Sequence, residues 1–146
     1  MQLTNDFTFH HLGIACESIV AESPIWKSLG YRPEGAPFTD ETQGIRGLFM
    51  TGNGPRIELL EATDGSLTLA PWIKRQVKLY HMGYVVTSFD AAIENLLADG
   101  ATVARSPSMS PYFKSRIVFL LLPNVVLIEL IDAQHDCVSA NPRMFP

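Results

Sequence analysis

His11-Leu12-Gly13-Ile14-Ala15 is matched 70 positions later by His81-Met82-Gly83-Tyr84-Val85. At the same spacing Ser18 is matched by Ser88, Gly30 by Gly100, Arg46 by Arg116 and Phe49 by Phe119. Ile57-Glu58-Leu59 then returns as Ile128-Glu129-Leu130, at a spacing of 71. Ordered echoes with a single one-residue slip mark a duplicated module. Each copy carries one His near its start and one Glu near its end. Pseudo-twofold packing of the copies would bring His11, Glu58, His81 and Glu129 together as a four-ligand metal site.

Working outward from these anchors, each copy reads strand, helix, strand, strand, strand. In the first copy the pattern predicts strands over 7–16, 31–34, 45–51 and 55–61, with a helix from Ser18 to Leu29 that stops at Gly30. Pro24 should kink that helix or restart it. Residues 37–43 read as a polar loop, and Gly52-Asn53-Gly54 as a tight turn. A connector over 62–76 contains a short helix at 69–76, with Pro71 near its start. In the second copy, strands are expected over 78–86, 101–105, 116–122 and 125–131. Ser88 should cap a helix that runs to Gly100. Residues 106–115, rich in Ser and Pro, read as a loop, and 134–146 as a loose tail. The organisation is one domain: module one at about 7–61, the connector at 62–76, module two at about 77–133 and the tail.

At 146 residues, 47% apolar and 18% charged, the chain can bury a substantial core. A net charge of −4 with scattered Lys and Arg gives no footprint for nucleic acid. The apolar stretch 117–131 is broken by Pro123-Asn124 and contains Glu129, so it reads as a hairpin and not a membrane span. No secretory pattern is seen at the start, and Cys16 and Cys137 stand alone, which suits a reducing cytoplasm.

Alternation along the strand turns Glu58 and Leu60 one way and Ile57 and Leu59 the other. Glu129 lies within Val125-Val126-Leu127-Ile128-Glu129-Leu130-Ile131, where a carboxylate needs a cation. Either Arg46 or Arg116 pairs with it, or the strand edge is wet, or the partner is a divalent metal. Two imidazoles and two carboxylates suit Ni, Co, Mn, Fe or Zn and leave positions open on a six-coordinate ion. Such an ion polarises a carbonyl, and Glu129 or Glu58 can move the proton next to it. Arg46 and Arg116 are candidates to bind an anionic substrate. Tyr112 and Lys114 lie in the 106–115 loop, which reads as surface or as a lid. His10 points away from His11, towards packing or surface. His135 and Cys137 read as inert, and Trp26, Trp72 and Phe49 as packing residues.

His11 with Gly13, Gln43-Gly44-Ile45, Gly52-Asn53-Gly54, Ile57-Glu58-Leu59-Leu60-Glu61, His81 and Leu127-Ile128-Glu129-Leu130 resemble the vicinal oxygen chelate superfamily. That superfamily includes glyoxalase I, methylmalonyl-CoA epimerase, extradiol dioxygenases and bleomycin-resistance proteins. The resemblance covers residues 8–133 and is nearest to epimerases and glyoxalase-like proteins. It implies an α+β fold of two tandem βαβββ modules whose curved mixed sheets form a metal-holding cup. It also implies His11, Glu58, His81 and Glu129 as metal ligands, a small-molecule substrate and a homodimer. Glu58, where some epimerases have Gln, makes the ligand set similar to bacterial glyoxalase I. Epimerases carry a catalytic acid early in the third strand, and here that position is Gly47.

The expected function is metal-dependent isomerase or lyase chemistry on a thioester-like substrate. A non-catalytic, antibiotic-type binding protein is the alternative. A dioxygenase fits less well, since two His and one carboxylate suffice there.

Overall fold

The computed structural model describes residues 6–133. Among the described residues, nine strands and three helices make a mixed α+β fold, in the order β1 (Phe7–Ala15), α1 (Ile19–Lys27), β2 (Arg32–Pro33), β3 (Phe38–Asp40), β4 (Ile45–Thr51), β5 (Ile57–Ala62), α2 (Ala70–Arg75), β6 (Leu79–Val86), α3 (Phe89–Ala98), β7 (Thr102–Ser110), β8 (Ser115–Leu121) and β9 (Leu127–Asp132). The chain divides into two compact units. One comprises His11–Tyr80, here the first unit. The second contains 6–10 and 81–133, so β1 contributes its opening residues to the second and the rest to the first.

In the first unit, β5 runs parallel to β1 and antiparallel to β4, and β4 also receives β2 and β3 antiparallel. In the second, β9 runs parallel to β6 and antiparallel to β8, which takes β7 on its other side. The mixed sheets that the family resemblance implies are present in both.

Alternation gives each sheet two different faces. In the first unit Leu12, Ile14 and Cys16, then Ile57 and Leu59, then Leu48 and Met50 form an apolar face with Ile19 and Trp26 of the α1 segment. In the second, Met82, Tyr84 and Val86 combine with Ile128 and Leu130, Val118 and Leu120, and with Phe89, Ala92, Ile93 and Leu96 of α3. The opposite parity in each unit carries the His and the Glu. On that second face the His and the Glu sit among further buried apolar residues, such as Ile45, Phe49 and Leu60 in the first unit and Ile117, Phe119 and Ile131 in the second.

Three local expectations are corrected. The 37–43 stretch contains β3, because Phe38, Thr39 and Asp40 pair with Gly47, Arg46 and Ile45. The 106–115 stretch is strand as far as Ser110, with register shifts that absorb its Ser and Pro residues. In both, pairing across strands overrides turn signals from Pro, Ser and Gly in or beside the segment. Ser88 does not cap α3 through its side chain, whereas Ser18 accepts from the Ala21 amide at 3.2 Å. Helix α1 also continues through Pro24 without a restart. The carbonyl that loses its donor is that of Val20, a residue 83% exposed, so water can serve it.

Candidate metal centre

Glu58 is the second residue of β5, opposite Gly13 of β1 on one side and Phe49 of β4 on the other. Side chains two apart share a face, so His11, Glu58 and Phe49 point the same way. His11 Nε2 lies 3.1 Å from Glu58 Oε1. The His11 ring meets Phe49 edge-on, with centroids 5.1 Å apart at 90°.

The second unit builds the same arrangement independently. Glu129 lies between Gly83 of β6 and Phe119 of β8. His81 Nε2 is 3.4 Å from Glu129 Oε1, and the His81 ring meets Phe119 at 5.2 Å and 87°. All four polar residues are buried, none more than 5% exposed.

Within each unit the His and the Glu are candidates to ligate a metal ion. Imidazole and carboxylate are donors that Zn, Fe, Mn, Ni and Co accept. Donor atoms about 2.1 Å from an ion and roughly 90–109° apart lie about 3.0–3.4 Å from one another. The 3.1 and 3.4 Å separations within the two pairs match that range. Each pair therefore has the chemistry and the bite to serve as half of a coordination shell. A buried carboxylate on an apolar strand also requires such compensation, because charge is costly away from water.

The arginines occupy the opposite parity. Arg46 Nε donates to Glu61 Oε2 at 2.8 Å, and Glu61 Oε1 accepts from the Ile19 amide at 2.7 Å. Arg116 donates to Asp132 Oδ2 through Nη2 at 2.9 Å and to Asp90 Oδ1 through Nη1 at 3.1 Å, with its guanidinium 4.6 Å over the Phe89 ring. Glu61 and Asp132 lie 71 positions apart, the spacing that relates Glu58 to Glu129. Extending the repeat by three residues would have found them. Neither arginine is the partner of Glu58 or Glu129 in these contacts.

The remaining candidates fall into packing roles. His10 is 2% exposed and its ring meets Phe113 at 5.3 Å. Trp26 donates to Glu22 Oε2 at 3.0 Å, and Trp72 packs edge-on against Tyr80 at 4.6 Å. Tyr112 and Lys114 belong to the β7–β8 turn, where Lys114 adopts φ 56°. Burial pushes the Cys16 thiol up to about 12, with the Glu22 carboxylate adding to the effect, so it is no nucleophile at neutral pH. His135 and Cys137 lie outside the described residues. Among the described residues, no helix is long and apolar enough to cross a membrane.

Sequence reasoning missed two features of the first unit. Asp40, buried, accepts from the Gln43 amide at 3.1 Å and from Gln43 Nε2 at 2.7 Å. Phe38 lies over Gly47, so that a Cβ added there would run into the Phe38 ring. Only the β3–β4 pairing, invisible in the local pattern, brings Phe38 to that place.

No curated protein sequence matches the chain. Solved structures share its fold. Methylmalonyl-CoA epimerase from Mycobacterium tuberculosis is 24% identical, with a TM-score of 0.75, covering 96% of this chain and 97% of that one. A variant of the Streptomyces coelicolor epimerase in complex with 2-nitronate-propionyl-CoA is 25% identical, with a TM-score of 0.71 and coverage of 88% and 95%. A hypothetical protein from Bacillus halodurans is 24% identical, with a TM-score of 0.74 and coverage of 89% and 96%. A family model matches residues 10–119, which span three of the four buried His and Glu residues. The chain therefore belongs to the Glyoxalase/Bleomycin resistance protein/Dioxygenase superfamily.

Proposed function

We propose that this protein is a metal-dependent isomerase or lyase that transfers a proton next to the carbonyl of a small thioester-like substrate. The observation that carries the reading is the doubled pair: His11 against Glu58 at 3.1 Å and His81 against Glu129 at 3.4 Å. Under this proposal the two pairs act as ligands of one divalent ion, Ni, Co, Mn, Zn or Fe. A bound ion would supply Lewis-acid polarisation of the substrate carbonyl. Glu129 or Glu58 takes the proton from the adjacent carbon and returns it. Phe49 and Phe119 hold the imidazoles in orientation and keep water from their ring faces. Arg46, whose side chain is 44% exposed, and Arg116 alternate away from the His–Glu pairs and are held by Glu61 and Asp132, so neither is assigned to the substrate in this proposal. Cytoplasmic residence and a homodimer belong to the same proposal.

The test has two stages. Protein purified without chelators or metal-affinity columns should carry close to one divalent ion per chain by plasma mass spectrometry. The metal-loaded protein in deuterium oxide should then exchange the α-proton of methylmalonyl-CoA or of a hemithioacetal. Metal without exchange on either substrate type would overturn the reaction. No metal, even after dialysis against each ion, would leave the alternative of a small-molecule binding protein.

A further inference from the structure

Four positions on the His11–Glu58 face of the first unit follow one another in register. Glu58 stands opposite Phe49, and two residues along β4 Gly47 stands opposite Phe38. The Phe38 ring fills the space that any side chain at 47 would take. It also stacks on Phe49, at 5.9 Å and 17°, and Phe49 in turn meets the His11 ring. The wall beside this His–Glu pair is therefore two phenyl rings, of which Phe38 is half-buried.

The second unit shows that this arrangement is not forced by packing. Seventy positions on, the same cross-strand pair is Ser108 opposite Ile117. There the small residue is on the outer strand and the large one on the inner. The first unit reverses the sizes and so sets an aromatic ring where the second has a hydroxymethyl group. Charge on the same wall points the same way. Glu58 and Asp40 are both acidic, and the oxygens of Asp40 are held by Gln43. Arg46 alternates to the opposite face, where Glu61 takes it. A second carboxylate on a substrate would lose hydration against hydrocarbon here, with Arg46 turned away to Glu61.

We propose that Phe38 and Gly47 together act as a specificity determinant, selecting carbonyl substrates whose group beside the carbonyl is apolar, preferably aromatic, over those that carry a carboxylate there. This deepens the function proposed above and rests on it.

The experiment uses the metal-loaded full chain and three hydroxamates that share a chelating head, with methyl, phenyl or carboxyethyl tails. Calorimetry gives the three affinities. Benzohydroxamate should bind at least roughly ten-fold tighter than the carboxylated compound. Phe38→Ser, which copies Ser108, should shrink that ratio by about five-fold or more, while Phe38→Leu, which keeps the apolar surface and serves if the Ser variant unfolds, should retain most of it. Equal affinity for the three tails, or a ratio unmoved by Phe38→Ser, overturns the determinant alone if the metal content is near one per chain. A chain that takes up no metal overturns it together with the four-ligand reading.

Discussion

The two units carry the same polar pair on the same parity of the same strands, yet they fill the surrounding wall differently. His11 and His81 meet Phe49 and Phe119 at 5.1 and 5.2 Å, and Arg46 and Arg116 are paired with Glu61 and Asp132 at 2.8 and 2.9 Å. Even the turns between the paired strands agree. Asp40 accepts from the Gln43 amide as Ser110 accepts from that of Phe113, although an anion does the work in one and a hydroxyl in the other. Gly44 and Lys114 both take positive φ at the next position. Gly30 and Gly100, at φ 91° and 102°, end their helices alike. What diverges is the outer strand. The first unit splits it into β2 and β3 around 34–37, whereas the second keeps β7 continuous through register shifts. The cross-strand pair Phe38–Gly47 has become Ser108–Ile117. The backbone register that places the His and Glu is thus the same in both units, while the cross-strand pair beside it differs.

The largest test of that equivalence is to remove one imidazole from each copy. His11→Ala and His81→Ala should each lower metal affinity by roughly 100-fold or more, and by similar factors, since a lost ligand costs more than a lost outer partner. Metal titration with a competing chelator measures both. A large loss for one and none for the other would break the twofold reading of the pairs.

A smaller effect is expected where the units differ. Gly47→Leu should destabilise by about 1–3 kcal/mol through overpacking against Phe38, and adding Phe38→Ser should recover most of that loss. Urea denaturation of the two single variants and the double variant gives the coupling. Additive losses would mean that Phe38 is not what keeps position 47 small.

The smallest concerns the helices. Ser18→Ala should cost about 1 kcal/mol, because its hydroxyl accepts an amide at the start of α1. Ser88→Ala should stay within about 0.5 kcal/mol. Equal losses in thermal unfolding would restore the symmetry that the sequence suggests between these serines.

The sequence by itself determined the duplication, the βαβββ order and the identity of the buried pairs. His11, Glu58, His81 and Glu129 were legible because apolar runs demand compensation for a carboxylate, and because period-two alternation says which neighbours share its face. The helix stops at Gly30 and Gly100 were legible for a similar local reason, since positive φ favours glycine. Only tertiary structure decided the rest. β3 and the end of β7 are made strand by cross-strand partners five to nine residues away in the chain, against the turn signals of Pro37 before β3 and of the Ser and Pro residues within β7. Arg46 and Arg116 go to Glu61 and Asp132 because antiparallel register sets those groups side by side. The Phe38 ring over Gly47 is a cross-strand contact with no local pattern to announce it. Alternation and burial are written along the chain one residue at a time. Which side chain fills the space beside a glycine depends on a pairing that forms only when the sheet does.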